Sequence, residues 1–428
     1  MADVFAGELP SIDGYVADLP YPSNFHQAFQ PPWTDWNLER RGLRPPREAG
    51  EPFVMVDLGC GDALGLLVTA ASHPQGRFIG VDAMPEHIAQ GRALADAAGL
   101  ANVELHCADF ASALPLADGR ANYVAAQGVL AWISEPNRAA LLDLAARWLR
   151  PGGALTMGYN CFPGWGQIAG FQRLVRSLAA HEEGPSPERF AAAAERVRAS
   201  GVMTQSHWEW LDDMRETLPA AYFAHEYLNG HWNPCWSGDV IAALAARGLD
   251  YAGQAGAPRL REDFCFRPEW REALATMPDA PSREIAADML AGAWFRHDIS
   301  LKRPTAALDP AGLAEKLLAH WWASALPAGQ EPGFTLETPA GSLDFGNAAA
   351  RAIMARLAQG PARLADIPGL AAPDLLNTID ALYAARLATP VDPPCPSPAA
   401  DRFNAALAQH DAPISARATD HGALAGTG

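Results

Sequence analysis

The sequence is poor in lysine and has no excess of positive charge. Its 32 basic residues include only two lysines, Lys302 and Lys316, and its 49 acidic residues give a formal net charge of −17. Such a chain is a poor partner for the phosphates of nucleic acids or for anionic membranes, so we expect neither partner. The shortage of lysine relative to arginine is explained most simply by a GC-rich coding sequence.

The sequence also lacks paired cysteines and long apolar runs. Its six cysteines contain no C-x-x-C pair, so no metal site is expected, and we interpret all six as free thiols in a reducing compartment. No run of about 18 apolar residues predicts a membrane span, and the first residues lack the basic and apolar regions of a signal peptide. We therefore expect a cytoplasmic protein, which at 428 residues is long enough for two or three domains.

An alternation of strand and helix patterns begins near Phe53. Five short apolar runs predict strands, at residues 53–58, 77–82, 102–107, 122–128 and 154–160. Repeated β-α-β units imply a parallel sheet with right-handed crossovers and helices on both faces, which is the α/β class. In such sheets, ligands bind beyond the carboxyl ends of the strands.

The first of these strands runs directly into the bare turn Asp57-Leu58-Gly59-Cys60-Gly61. Its glycines allow a tight turn and let a ligand approach the main chain, and the free N–H groups of the following helix point at the same place. The pattern falls short of the dinucleotide fingerprint G-x-G-x-x-G, because a leucine stands where the third glycine belongs. The turn therefore predicts a large ligand without identifying it.

Polar residues at the next three strand ends narrow the choice of ligand. Asp82 is placed to accept hydrogen bonds from two ribose hydroxyls, with a helix cap as its alternative role. Asp109 is placed to accept from an adenine amino group, with an ordinary loop carboxylate as its alternative, and Gln127 would face the reacting centre. Together these residues fit an adenosine with a second group beyond the ribose.

Four segments within about residues 50–160 match a known series in order and spacing. VDLGCGDA, FIGVDAMPEHI, HCADF and LRPGGAL resemble the motifs of class I S-adenosylmethionine-dependent methyltransferases. NAD binding is the closest competitor, but it usually comes with a third glycine and without the LRPGG element. The resemblance implies a Rossmann-like seven-stranded core with S-adenosylmethionine as cofactor. It also implies a set of cofactor-binding residues, namely Asp57, Gly59, Cys60, Gly61, Asp82, Ala83, Ala108, Asp109, Phe110 and Gln127.

A second resemblance extends over more of the chain. QGVLAWISEP, YNCFPGW and HEYLNGHWNPCW are similar to segments of bacterial methyltransferases that carry a methyltransferase regulatory domain. That group includes protein-lysine methyltransferases acting on bacterial surface proteins, although Gln127 and Ala131 stand where its pattern has His and Ser. The resemblance implies methyl transfer to a protein side-chain nitrogen, above all that of lysine. Two alternatives stay open, a methyltransferase of a small metabolite or natural product, and a non-catalytic regulator that binds the cofactor.

Residues near the predicted reacting centre are the candidates for binding or activating the methyl acceptor. Tyr159, Asn160 and Trp165 follow the fifth strand, where Asn160 would bind a polar group and Trp165 would form an apolar or cation–π wall. Tyr21 and His26 lie in an N-terminal segment that often covers the cofactor in this fold, and His26 is the candidate base. The alternatives are a structured Pro-Gly-Trp turn for the first group and surface or capping roles for the second.

The chain divides into a core with several additions. The predicted parts are an N-terminal lid segment at 1–50, a methyltransferase core at 51–257 with a helical insertion at about 166–232, an α+β accessory or regulatory domain at 258–392, and a loosely ordered tail at 393–428. In the insertion, His225 and Glu226 are interpreted as bracing a helix rather than approaching the substrate. The accessory domain resembles a winged helix, but its helix at residues 373–386 is not basic, so we expect packing or homodimer formation instead of DNA binding.

Overall fold

The N-terminal segment contains little regular structure and ends in a buried helix. The computed structural model describes residues 11–111, 118–303, 307–327, 329–409 and 416–425, so residues 1–10 of the predicted lid lie outside it. The segment forms a two-stranded ladder, β1 (Ser11–Ile12) and β2 (Tyr15–Val16), and helix α1 (Pro31–Glu39). Helix α1 begins with two prolines, which suit a first turn because its N–H groups have no partner within the helix. All residues of α1 are buried.

The core is one seven-stranded sheet. Its strands in chain order are β3 (Val54–Leu58), β4 (Arg77–Asp82), β5 (Val103–Cys107), β6 (Ala121–Gln127), β7 (Leu149–Asn160), β8 (Leu249–Gln254) and β9 (Phe295–Lys302). Their spatial order is β5-β4-β3-β6-β7-β9-β8, with β9 antiparallel to both neighbours and the strands from β5 to β7 paired in parallel. This arrangement confirms the predicted Rossmann-like core and brings the carboxyl ends of the five parallel strands to one edge.

Helices cover both faces of this sheet. They are α2 (Leu64–Ser72), α3 (Pro85–Ala98), α4 (Glu135–Trp148) and α9 (Ser237–Ala245). One apolar core joins α1, α2 and α3 to the sheet, and a second core joins α4 and α9 to the opposite face. Because side chains alternate along a strand, the neighbours Met55 and Val56 enter different cores. Burial on both faces explains the nearly continuous apolar character of β3.

A helical insertion follows β7 and forms its own core. Its main helices are α5 (Ala169–Ala179), α6 (Ser186–Ser200), α7 (Gln205–Thr217) and α8 (Ala220–Leu228). Phe190 of α6 lies 5.6 Å from Phe223 and 5.4 Å from Tyr227 between ring centroids, so aromatic stacking joins α6 to α8. The insertion thus places α8 beside the carboxyl edge of the sheet.

The antiparallel strand of the sheet comes from a part of the chain that the sequence assigns to the accessory domain. Three helices separate β8 from β9, namely α10 (Glu262–Cys265), α11 (Pro268–Ala275) and α12 (Ala280–Ala291). Strand β9 pairs with β7 from Leu301 opposite Ala154 to Phe295 opposite Asn160. The core therefore continues to Lys302, which corrects the predicted boundary at 257/258. Because these three helices interrupt the alternation of strands and helices, the sequence pattern does not predict β9, which follows them.

The accessory domain after the core is α+β. Its elements are α13 (Pro310–Leu318), β10 (Trp321–Ser324), β11 (Thr335–Thr338), β12 (Gly341–Asp344), α14 (Ala348–Leu357), β13 (Ala362–Arg363), α15 (Ala372–Ala384) and β14 (Ala388–Val391). Strands β13, β10 and β14 form one small sheet, and β11 and β12 form a separate hairpin. Tyr383 of α15 lies 4.3 Å from Trp33 of α1 between ring centroids, so this domain rests on the core. Homodimer formation through it stays a prediction.

The C-terminal tail is packed where the structure describes it, which corrects the predicted loose tail. Helix α16 (Pro398–Leu407) lies against α2 and α3 with Phe403 fully buried, and β15 (Ala416–Thr419) pairs with β16 (Gly422–Ala425). The Arg402 Nε donates to the Ala98 carbonyl at 3.0 Å, and the Thr419 N–H donates to the Ser72 hydroxyl at 3.2 Å. Composition alone predicts a loose tail around a helix at residues 401–409, but these contacts bind the tail to the core. None of the helices in the described ranges has the length and hydrophobicity that a bilayer crossing requires.

Candidate active site

The bare turn after β3 needs glycine for more than one reason. Gly59 and Gly61 have φ angles of +79° and +58°, a region that favours glycine. The N–H groups of Gly59 and Cys60 donate to the Val81 carbonyl at 2.8 and 3.0 Å. A Cβ at Gly59 would lie 2.3 Å from the Val129 Cγ2, whereas a Cβ at Gly61 would meet no atom within 4 Å. The open face at Gly61, beside a helix N-terminus, is the place for a ligand that lies on the main chain.

Asp82 ends β4 beside this turn, and three groups hold its carboxylate. Its Oδ2 accepts from the Gly61 N–H at 2.9 Å, and its Oδ1 accepts from the Met84 N–H at 2.9 Å. The His87 Nδ1 lies 3.1 Å from Oδ1, and the His87 Nε2 accepts from the Tyr21 N–H at 3.0 Å. Because Nε2 is an acceptor, the neutral ring carries its proton on Nδ1 and donates it to Asp82. Asp82 therefore lies at the predicted edge of the sheet and has part of its alternative role at the helix start, while its hydrogen bonds to ribose stay a prediction.

Asp57 adds a second carboxylate near the end of β3. Burial and, to a smaller extent, repulsion from Asp82 raise the pKa of Asp57 to about 7. A cation placed beside Asp57 would lower this pKa and keep the carboxylate ionised. The cofactor implied by the resemblance carries positive sulfonium and amino groups, so the charge at this edge fits it.

The end of β5 lies next to Asp82 and completes the cofactor side. The Ala108 N–H donates to the Asp82 carbonyl at 2.9 Å. Asp109 is exposed and Phe110 is buried, while Ala83 begins the turn after β4. The structure therefore brings the predicted cofactor-binding residues of β3, β4 and β5 together. Their arrangement fits a nucleoside that lies across the strand ends.

Gln127 ends β6 and lies over the next strand. It pairs with Gly158 of β7, and a Cβ at Gly158 would lie 1.9 Å from the Gln127 Oε1. That oxygen is buried and has no hydrogen-bond partner among the described residues. His297 of β9 pairs with Gly158 from the other side, and within the same part of the chain its buried Nε2 is likewise unpaired. In this row across β6, β7 and β9, one unpaired polar atom thus lies on each side of Gly158.

His26, the predicted base, covers this row together with Phe29. The Phe29 ring lies 5.3 Å from His297 and 6.2 Å from His26, and the two histidines are 6.4 Å apart, all between ring centroids. Burial lowers the pKa of His26 to about 4 and that of His297 to about 3. Both imidazoles are therefore neutral near pH 7. A base with such a low pKa is weak, so His26 fits the site as a neutral wall better than as a proton acceptor.

Glu226 of α8 closes the acceptor side of the site. Its side chain is buried, its Oε1 accepts from the Tyr21 hydroxyl at 3.1 Å, and its Oε2 accepts from the Asn160 Nδ2 at 3.5 Å. Burial raises the pKa of Glu226 to about 8, although both hydrogen bonds act in the opposite direction. Glu226 thus joins two predicted acceptor residues, although sequence reasoning gave it a bracing role. The sequence feature that could have pointed to Glu226 is its carboxylate, which stands among apolar and aromatic residues in FAHEYL.

Tyr159 lies on the other face of β7. It is fully buried, and its hydroxyl donates to Asp298, which is ion-paired with Arg296 at 2.8 Å. Successive residues of a strand point to opposite faces, so Tyr159 and Asn160 cannot both face the acceptor. The structure therefore does not bring Tyr159 to the site.

Trp165 lies in the core of the insertion. Its ring centroid is 5.8 Å from that of Trp132 and 5.7 Å from that of Trp232, in edge-on contacts typical of aromatic cores. The ring is buried among these neighbours. Trp165 therefore matches the structured-turn alternative and not the predicted acceptor wall.

Two family models match this chain within the region that builds the site. Residues 55–153 match the model described as a methyltransferase domain, and residues 219–302 match the model described as a predicted methyltransferase regulatory domain. The first match shows that residues 55–153 form a methyltransferase domain, and its fold and strand-end geometry are those of the class I methyltransferases, which use S-adenosylmethionine. Within that class, the chain carries the regulatory segment that the second resemblance implies. This segment ends with β9 at residue 302, so it belongs to the core sheet and not to the accessory domain that follows.

Individual relatives cover different shares of the chain. The structure of PKMT2 from Rickettsia typhi in complex with AdoHcy has a similar fold, with a TM-score of 0.71 and 19% identity over 95% of this chain and 86% of that chain. An uncharacterized protein of Synechocystis sp. is 25% identical over 302 residues, which are 69% of this chain and 60% of that protein. A trans-aconitate 2-methyltransferase of Methylobacterium nodulans is 32% identical over 160 residues, which are 37% of this chain and 55% of that enzyme. The chain therefore spans about three fifths of the cyanobacterial relative.

Proposed function

We propose that this protein transfers a methyl group from S-adenosylmethionine to the side-chain nitrogen of a lysine in another protein. When bound, the cofactor supplies a sulfonium methyl group with a good leaving group. The turn at Gly59 to Gly61 and the carboxylates of Asp57 and Asp82 would bind and orient it. The remaining tasks of the chain are to align the acceptor, exclude water and handle the acceptor's protons.

The unpaired oxygen of Gln127 is the observation that carries this proposal. A buried oxygen without a donor costs about 1–3 kcal/mol, and an N–H group of a ligand would remove that cost. His297, which is neutral, and Glu226 add further groups able to accept hydrogen bonds on the same side. An amine or ammonium group offers the donors that this set lacks.

The charge of the acceptor side also favours nitrogen. Among the described residues, no arginine or lysine hydrogen-bonds to the side chains of Gln127, Asn160 or Glu226, and Arg386 is a cation that acts electrostatically on His26 and His297 but not on Glu226. A tricarboxylate such as the one in the name of the Methylobacterium relative would therefore meet the Glu226 carboxyl group without a counter-charge. An ammonium group beside Glu226 would instead lower its raised pKa and pair with the ionised carboxylate, which favours a cationic acceptor over an anionic metabolite.

The mouth of the site supports a protein acceptor over a free amine. Phe295 pairs with Asn160 across β7 and β9 and is 37% exposed, and Trp236 is equally exposed and stacks on Phe162 at 5.0 Å between ring centroids. Exposed aromatic rings near a site are typical of surfaces that contact a larger partner. The likeness to PKMT2 is consistent with this, because it covers 95% of the chain, including the accessory domain.

Incubation with methyl-labelled cofactor and a bacterial lysate tests the proposal. Proteins are separated from small molecules, hydrolysed and analysed for methylated amino acids. We expect the label in protein, as methyl-lysine. Label confined to small molecules would support the metabolite alternative, and a complete lack of label would support the non-catalytic regulator.

The lysine content of the chain makes the controls simple. Asp82→Ala should lose the cofactor while keeping the fold, so its reaction measures the background. Self-labelling on a side chain is limited to Lys302 and Lys316, since these are the two lysines of the sequence. Peptide mass analysis at those two positions separates self-labelling from labelling of a lysate protein.

A further inference from the structure

Glu226 is a buried carboxyl group whose observed partners are neutral. It is 5% exposed, and the side chains that donate to it are the Tyr21 hydroxyl and the Asn160 amide. Buried carboxylates are normally paired with cations, as Asp298 is with Arg296 at 2.8 Å on the opposite face of the sheet. Without such a cation, burial raises the pKa of Glu226 to about 8, and a cationic ligand from outside the chain would lower this pKa and pair with the ionised carboxylate.

Tyr21 fixes the position of Glu226 relative to the cofactor side. The Tyr21 N–H is bound to His87, which in turn donates to Asp82, and the Tyr21 hydroxyl is bound to Glu226. One histidine and one tyrosine thus connect the ribose-binding carboxylate to Glu226. Asn160, at the carboxyl end of β7, contacts Glu226 from the side where the acceptor is expected.

We propose that Glu226 is the catalytic residue that takes the proton from the ammonium group of the incoming lysine, an assignment that rests on the proposed function. An N–H bond of the ammonium breaks, an O–H bond forms on the Glu226 carboxylate, and a lone pair remains on the nitrogen. That lone pair forms the new C–N bond while the bond between the methyl carbon and sulfur breaks and its electron pair stays on sulfur. The products are a methylammonium group, a neutral thioether and a protonated Glu226, which returns its proton to solvent.

The surroundings of Glu226 suit this role. Burial raises its pKa to about 8, and the hydrogen bonds from Tyr21 and Asn160 partly oppose the rise. The titratable side chains that face it or flank it are Tyr15, Tyr21, Tyr222, His225 and Tyr227. All five are neutral near pH 8, because burial raises the pKa of each tyrosine and lowers that of the histidine to about 4. A proton acceptor whose pKa lies near the working pH is both available and effective.

This assignment gives the regulatory segment a direct part in the site. Glu226 in α8 and His297 in β9 both lie within residues 219–302, the range that matches the regulatory model. Glu226 contacts Asn160 at the end of β7, and His297 lies across Gly158 from Gln127, which ends β6. The segment therefore supplies one half of the acceptor site instead of acting on it from a distance.

The test compares Glu226→Gln with Glu216→Gln, which changes an exposed glutamate of the neighbouring helix α7. Methyl transfer to lysate proteins is measured between about pH 6 and 10. The wild-type rate should reach a plateau above about pH 8. Glu226→Gln should be at least about 100-fold slower near pH 7 and should keep rising towards the lysine pKa of about 10.4. Glu216→Gln should follow the wild type, and calorimetry should give all three proteins the same cofactor affinity within about twofold.

Two results would overturn the assignment in distinguishable ways. If Glu226→Gln keeps the wild-type rate and pH profile, Glu226 is not the proton acceptor, while lysine methylation by the wild type still supports the proposed function. If the wild type methylates no lysine, both proposals fail. Tyr21→Phe gives a second readout, because it removes a hydrogen bond that lowers the pKa of Glu226. Its pH profile should therefore shift to higher pH, and a shift in the other direction counts against the assignment.

Discussion

The cofactor side and the acceptor side of this site are built in different ways. The cofactor side consists of main-chain turns and carboxylates within residues 57–110, contributed by three consecutive strands. The acceptor side collects side chains from segments far apart in the chain, namely Tyr21, Gln127, Asn160, Glu226 and His297. The first side depends on local backbone geometry, and the second depends on how the insertion and β9 pack. The class of ligand is therefore encoded in short motifs, whereas the choice of substrate depends on long-range contacts.

The largest expected effect is on the cofactor side, at Gly59. Gly59→Ala should lower the free energy of unfolding by about 2–5 kcal/mol, because the positive φ and the contact with Val129 both oppose a Cβ. Cofactor affinity should fall at least about 100-fold, or about 2.7 kcal/mol. Thermal unfolding and calorimetry measure the two effects. Gly61→Ala is the matched control for stability, since the φ angle of Gly61 is also positive but a Cβ there would meet open space. If both variants lose the same free energy of unfolding, the contact with Val129 is unimportant.

Asp82→Ala should break the cofactor side while leaving the sheet intact. The substitution removes two charge-assisted hydrogen bonds to ribose, each contributing about 1.5–3 kcal/mol before compensation. We expect cofactor affinity to fall at least about tenfold in a titration by calorimetry, with the far-ultraviolet circular dichroism unchanged. Unchanged affinity would show that the ribose does not bind at Asp82.

Asn160→Ala should affect the acceptor side alone. Loss of its amide contact with Glu226 should lower methyl transfer about tenfold, which is about 1.4 kcal/mol in the barrier, with cofactor affinity nearly unchanged. Tyr159→Phe, one residue earlier, is the control, because its hydroxyl contacts Asp298 on the opposite face. That control should lose stability but keep its turnover per folded molecule. Loss of turnover in Tyr159→Phe with normal turnover in Asn160→Ala would place the acceptor on the Tyr159 face of β7.

The last prediction concerns the pH dependence of stability. The pKa of Glu226 is raised to about 8 in the folded chain, against about 4.3 for an unperturbed glutamate. The folded state therefore keeps its proton to higher pH, and the free energy of unfolding falls as the pH rises between these two values. One group contributes at most about 1.4 kcal/mol per pH unit. Thermal unfolding between about pH 5 and 8 should give Glu226→Gln a shallower decline than the wild type, and parallel curves would contradict the raised pKa.

Sequence reasoning succeeded where neighbouring residues act together. The glycine turn and Asp82 lie within a continuous β-α-β stretch, so periodicity and spacing were sufficient to predict the core and its carboxyl edge. Strand β9 was missed because α10, α11 and α12 interrupt the alternation, and only tertiary pairing with β7 reveals it. Glu226 was assigned a bracing role because sequence spacing does not show which helix of an insertion faces the sheet. The fold of the core was therefore accessible from sequence, together with Tyr21, Gln127 and Asn160, whereas the roles of Glu226 and His297 depend on tertiary packing.

The Tyr21 bridge described above has a consequence for the order of events in a catalytic cycle. Its main-chain N–H is bound to His87 on the cofactor side and its hydroxyl to Glu226 on the acceptor side, so we expect the binding of one ligand to favour the other, by the same factor in both directions. We expect exchange of the spent cofactor to displace this segment and with it the contact to Glu226. Under the proposed function, the lysine would then leave between turnovers and methylation would be distributive. Time courses at low enzyme concentration should show monomethyl-lysine accumulating before any dimethyl-lysine is formed.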